Sequence, residues 1–271
     1  MSCLPVHGRI DCPICFQERP VIFDETKRSQ DGWRITANPM AWGSSEPEII
    51  VLGFSKGPTQ AGALNKVEHD EIAYKGRRTN VGKILAHVGL LPDVAPEQLH
   101  AEVDRLISSQ NGRFHFSSFI RCTVERLDLK SGEWKGTNGG MLDGFMKSSL
   151  GNYVVNQCAT RFLGALPSST KLVVMFGTGS NLMYVEAALS ALKIARPGSW
   201  SRLNDIAYSD GTITVVHVEH FASQGSLIPD WLGIGEKPRA RLGRLARTTV
   251  QRAVGLKWKQ VRRRRRLGNS S

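Results

Sequence analysis

The sequence predicts an α/β protein, a three-layer αβα sandwich with a central, mostly parallel sheet of about four strands. Two observations carry this. Short apolar runs, Ile49-Ile50-Val51-Leu52 and the stretch from Lys171 to Phe176, end abruptly in the glycine loops Gly53-Phe54-Ser55-Lys56-Gly57 and Gly177-Thr178-Gly179. A β-favouring run without polar alternation belongs to a strand covered on both faces, as in parallel sheets. Between such runs stand longer segments with apolar residues at helical spacing, so strands and helices alternate and the helices serve as crossovers.

Taken in order, residues 1–46 hold Cys12-Pro13-Ile14-Cys15 and a Trp/Pro-rich stretch to Trp42, and read as a loop-rich N-terminal arm. The first strand opens the body, residues 47–236. After a polar loop from Ala61 to Lys75, Thr79 or Asn80 caps a helix with Val81, Ile84, Leu85 and Val88 on one face, stopped by Gly89. Pro96 suits the first turn of a second helix carrying Leu99, Val103, Leu106 and Ile107. Arg113 to Arg121 is the next strand, ending at Cys122, and the glycine-rich segment from Leu127 to Gly144 reads as an insertion. Leu150 to Leu166 is helical in pattern, with Cys158 inside it, and another helix follows Gly179 to the region of Lys193. Pro197 to Asp210 reads as irregular; Gly211 to His220 alternates into the last strand. From residue 237 the chain is basic: a helix over Arg239 to Val254 turns Leu242, Ala246, Val250 and Ala253 inward, and an Arg-rich tail follows.

The net charge of +12 is local. Lys237 to Ser271 contains three Lys, ten Arg and no acidic residue, so the rest of the 271-residue chain is close to neutral. A run such as Arg262-Arg263-Arg264 is an electrostatic footprint for polyanions, chiefly nucleic acid, because each neutralised phosphate releases condensed counterions. No stretch is long and apolar enough for a membrane span, and no basic segment leads into an apolar one at the N-terminus, so a soluble, cytoplasmic protein is expected, nucleoid-associated in a bacterium. No obligate protein partner is implied.

Five cysteines, an odd number, argue against a disulfide framework. Cys12 and Cys15 have metal-ligand or redox spacing; their polar, turn-like surroundings favour a metal. Cys122 and Cys158 are the candidates for two further ligands, with Cys3 as the spare. The ends of three strands, at Gly53, Cys122 and His220, should converge on the carboxyl edge of the sheet, where α/β folds bind ligands.

The order of these motifs resembles the uracil-DNA glycosylase superfamily, specifically its iron-sulfur classes. A strand runs into the Gly53–Gly57 motif. Tyr74-Lys75-Gly76-Arg77 precedes a helix ending in Gly89-Leu90. Arg121-Cys122 closes a strand, and Cys158 stands in the following helix ahead of Phe162-Leu163. The last strand leads into His220-Phe221-Ala222-Ser223. The similarity covers most of residues 10 to 235. It implies a [4Fe-4S] cluster on Cys12, Cys15, Cys122 and Cys158, although four thiolates suit zinc as well. It also implies a DNA-repair hydrolase that cleaves the N-glycosidic bond of uracil or a related deaminated base in single- or double-stranded DNA.

By the same resemblance His220 stabilises the departing base, with Gly53, Phe54, Tyr74 and Ser118 around that base and Tyr74 as its stacking ring. Lys56, Arg77 and Ser223 would contact DNA and Leu227 would enter the minor groove. The departures bear on chemistry. The first motif has no acid, leaving Gln60, Asp70 and Glu71 as weak candidates to activate water; the family's uracil-reading Asn is Ser118; and Pro-Ser after the histidine is Phe221-Ala222. A nucleic-acid-binding relative without turnover, or an unrelated cysteine-metal protein whose tail binds RNA or a partner, are the competing readings.

Overall fold

The computed structural model describes residues 4–92, 94–136, 139–234 and 237–255; Cys3 and the tail arginines Arg262, Arg263 and Arg264 lie outside the described residues. In chain order the strands are β1 (Gly8–Arg9), β2 (Lys27–Gln30), β3 (Trp33–Thr36), β4 (Met40–Gly43), β5 (Ile49–Gly53), β6 (Phe114–Ser118), β7 (Thr123–Leu127), β8 (Trp134–Gly136), β9 (Leu172–Phe176), β10 (Ser201–Asn204), β11 (Ala207–Ser209) and β12 (Thr214–Val218). The helices are α1 (Pro58–Ala61), α2 (His69–Ile72), α3 (Arg78–His87), α4 (Leu99–Ser108), α5 (Gly139–Lys147), α6 (Ser149–Leu163), α7 (Met183–Ala195), α8 (Leu227–Trp231) and α9 (Pro238–Ala253).

The main sheet runs β1-β4-β6-β5-β9-β12-β11-β10. Its centre, β6-β5-β9-β12, is parallel, and both flanks are antiparallel. The reason for the apolar runs is visible on β5. Ile50 and Leu52 enter a core built with α6 and α7, whereas Ile49 and Val51 enter a second core built with α3, α4 and α9, and all four are fully buried. Helices therefore cover both faces of the parallel centre.

Three sequence expectations need correction. The sheet has eight strands among the described residues, not about four, because two antiparallel flanks extend the parallel centre. The arm of residues 1–46 is not simply loop-rich: β1 and β4 pair onto the main sheet, and β2 and β3 join a second sheet, β2-β3-β7-β8. The segment expected to be irregular, Pro197 to Asp210, contains the β10-β11 hairpin. These strands are short, and β10 and β2 are polar and exposed, so they produce no apolar run; their backbone pairing alone makes them strands. The Leu127–Gly144 insertion supplies β8 and the start of α5.

Helix α9 closes against β12 and α8. Gly243 permits that approach, since a Cβ there would stand 1.9 Å from the Trp231 carbonyl oxygen. No helix among the described residues is long and apolar enough to cross a membrane.

Candidate active site and cysteine cluster

The carboxyl ends of β5, β6, β9 and β12 lie along one edge of the sheet, and the loops that leave β5 and β12, with residues 74–77 and Leu142, line a cleft of about 410 Å3. It gathers Phe54, Gln60, Tyr74, Arg77, His220, Phe221 and Ser223 from three separate segments of the chain. A second cleft of about 370 Å3 adjoins it, lined among others by Gly177, Thr178, Glu219, Leu227 and Arg239, and the two share Leu142, His220 and Ser223. Gly53 and Ser118 stand one step behind the wall as paired strand ends. A third cleft, about 450 Å3 near Leu91 and Leu106, holds no comparable set of groups; its acid Glu102 is taken up by Arg105.

His220 lies where the two clefts meet. The backbone N–H of Ala222 donates to its Nδ1 at 3.2 Å, so the neutral ring carries its hydrogen on Nε2. Burial pushes its pKa down to about 4, against the nearby charge of Glu219, so the ring is neutral at physiological pH. Phe221 stacks on it with centroids 4.4 Å apart.

The loop carrying His220 is held from three sides. The Glu219 carboxylate accepts the His220 N–H at 3.0 Å, the Ser223 hydroxyl at 2.7 Å and the Arg239 guanidinium. Asn80 on α3 donates to the Phe221 carbonyl at 3.0 Å. Sequence reasoning missed Glu219, Arg239 and Asn80; Arg239 lies 20 residues from Glu219 and Asn80 lies 141 from Phe221, so no local spacing marks those two contacts.

Several predicted roles change. Tyr74 is not an exposed stacking platform. It takes φ +53°, and its ring is buried edge-on against Phe116, Phe176 and Phe221. Its hydroxyl has no hydrogen-bond partner, and burial raises its pKa. Lys56 does not reach solvent and so does not contact DNA phosphate: it is 2% exposed, and its ammonium donates to the Arg121 carbonyl. Burial pushes the Lys56 pKa down to about 8, with Cys122 pulling the other way.

The Ser223 hydroxyl is committed to Glu219 rather than presented to a ligand. The Gln60 amide nitrogen donates to the Ile72 carbonyl at 3.4 Å, and among the described residues no Asp or Glu lines the central cleft. Arg77 is exposed at the rim, and Leu227 is exposed at the start of α8.

On the face of the sheet covered by α6, the four predicted thiols come together. Cys12 and Cys15 flank a turn closed by the Phe16 N–H on the Pro13 carbonyl, 3.0 Å; Cys122 follows β6; Cys158 projects from α6. Cys15, Cys122 and Cys158 are buried and Cys12 is partly so. The thiols act on one another. The hydrogen bond between Cys15 and Cys158 holds Cys158 low and Cys15 high; burial and Cys158 push Cys122 up to about 12; and burial raises Cys12.

No three of these sulfurs lie within 4.8 Å of one another; among the described residues only His7, His69 and Asp70 do so. In that trio both histidines have polar contacts, whereas Asp70 Oδ1 is buried and makes no hydrogen bond. Gly43 N–H donates to His7 Nδ1 at 3.2 Å, His7 Nε2 faces Asp70 at 2.9 Å, and His69 Nε2 lies 3.0 Å from the Ala41 carbonyl. No protein-family model matches the chain, and no curated protein sequence matches it.

Proposed function

We propose that the protein is a DNA glycosylase with a uracil-DNA glycosylase-like fold, hydrolysing the N-glycosidic bond of uracil or a related deaminated base. The observation that carries this reading is a neutral histidine, its ring hydrogen on Nε2, lining a cleft sized for a small ligand on the carboxyl edge of a parallel sheet. A base extruded from the helix enters such a cleft and is read on its polar edge. As the bond to the sugar breaks, negative charge develops on the carbonyl oxygen of the base. An Nε2–H donor, held by a loop that does not have to reorganise, stabilises that charge; one such donor is worth about 2.7 to 4 kcal/mol.

Phe54 and Phe221 supply the apolar wall, and Arg77 at the rim is placed for a phosphate. Leu227, exposed beside the adjoining cleft, has the position of a minor-groove wedge. The basic tail adds non-specific attraction to the DNA backbone.

The four thiols fit a metal centre. They are largely buried and drawn from the arm, the turn between β6 and β7, and a helix. Four thiolates suit a [4Fe-4S] cluster and a zinc ion alike, and the resemblance to the iron-sulfur classes favours the cluster, with zinc as the alternative. When bound, that group supplies a structural cross-link between residues 12–15 and the body. Hydrolysis needs no redox step, and none is assigned to it.

One observation favours a second reading, nucleic-acid binding without turnover: among the described residues the central cleft has no carboxylate to activate water. Uracil-containing single- and double-stranded oligonucleotides, treated with alkali to break abasic sites, separate the two. Strand breaks support the glycosylase; binding without breaks supports the second reading.

A further inference from the structure

The altered first motif contains a lysine that serves neither the cleft nor the solvent. Along Phe54-Ser55-Lys56-Gly57, residues 54, 55 and 57 line the cleft while Lys56 is fully enclosed on the cysteine side. Its ammonium donates to the carbonyl of Arg121, and its backbone forms an isolated parallel bridge with Thr123, so it brackets Cys122 from both sides.

Arg121 is equally enclosed, at 2% exposure. Its guanidinium lies over the Phe162 ring at 4.7 Å, and Nη1 donates to His115 Nε2 at 3.4 Å. Its charge acts on Cys158 and Cys12, and its backbone N–H bonds to the Cys158 sulfur. Two enclosed cations thus stand against four thiols.

We propose that Lys56 and Arg121 are the buried counter-cations of the metal–thiolate centre. This inference rests on reading the four cysteines as such a centre. Four thiolates around either a zinc ion or a [4Fe-4S] core of charge two plus leave a net charge of two minus. In a low-dielectric interior that charge needs fixed positive partners, and two cations balance it. The balance would add to the hydrogen bond with the Arg121 carbonyl in offsetting the burial of lysine, ordinarily a surface residue.

The test compares wild type, Lys56→Met, Lys56→Gln and Lys56→Arg, purified without added metal. It reads the metal-to-protein ratio, the metal–thiolate absorption and the rate of metal release to a chelator. Lys56→Met and Lys56→Gln should release metal at least about tenfold faster, the size of effect seen when a group just outside the ligands is lost. Lys56→Arg should stay close to wild type. Lys56→Gln keeps a donor toward the Arg121 carbonyl, so it gives the answer even where Lys56→Met does not fold. Neutral variants that hold metal as long as wild type overturn the inference while leaving the centre standing. A wild type that contains no metal overturns the centre itself, and the inference with it.

Discussion

Ala222 donates its backbone N–H to Nδ1 of His220 at 3.2 Å, across a single intervening residue. That bond sets the tautomer, and so decides which ring nitrogen meets a ligand in the cleft. Replacing His220 with Ala removes the donor and should lower the rate of base release by about 10² to 10³-fold, read in single-turnover assays. Because the pKa of His220 is held down to about 4, wild-type activity should not change between pH 6 and 8 through this residue. A rate that rises or falls tenfold per pH unit across that range with the shape of a histidine titration would contradict the assignment.

Acid should unfold the protein through three enclosed imidazoles. Burial pushes His115 down to about 3 and His217 and His220 down to about 4, from an ordinary value of 6.5. Below pH 6.5 the unfolded chain binds protons that the native state refuses, so stability falls as pH falls and levels off only near the folded values. Each site contributes up to about 1.4 kcal/mol per pH unit inside that window. Urea unfolding at pH 7, 6 and 5 measures this, and constant stability over that range would refute it.

Tyr74 should behave as a core residue. Its hydroxyl is buried without a hydrogen-bond partner, so Tyr74→Phe should leave stability unchanged or raise it. Tyr74→Ala, which empties a site packed by Phe116, Phe176 and Phe221, should cost about 3 to 5 kcal/mol. A Tyr74→Phe variant as damaged as Tyr74→Ala in thermal melts would show that the hydroxyl has a role.

Loss of a thiol should loosen the arm. Cys122→Ser should reduce metal content and make residues 4–46 the first site of limited proteolysis, since the centre would tie Cys12 and Cys15 to the body. Iron in the wild type should bring a broad visible absorption that bleaches on oxidation. A proteolysis pattern identical to wild type would contradict the cross-linking role.

Removing residues 257–271 deletes seven Lys and Arg. Affinity for any DNA should fall at low salt, and the slope of log affinity against log salt should flatten by up to about six. An unchanged slope would remove the tail from the binding surface.

What could be read in the sequence follows from where the signals are local. β5 and β9 are legible because strands covered on both faces must be apolar throughout, and His220 because it stands just beyond the last β-favouring run, β12. β2 and β10 are held by backbone pairing at exposed edges, which leaves no pattern in side chains. Glu219 and Arg239 hold the His220 loop through a contact between residues 20 apart, set only by the docking of α9. Lys56 was misread as a surface cation because lysine is rarely enclosed, and only the folded chain brings it to Cys122.

The most direct test is mass-spectrometric detection of free base released from an oligonucleotide containing a single uracil, with wild type and His220→Ala assayed side by side at pH 7.5. The account predicts free uracil and an equimolar abasic strand from the wild type, with release slowed by about 10² to 10³-fold in the variant. Equal release by both proteins, or none by a folded, DNA-bound wild type, would contradict it.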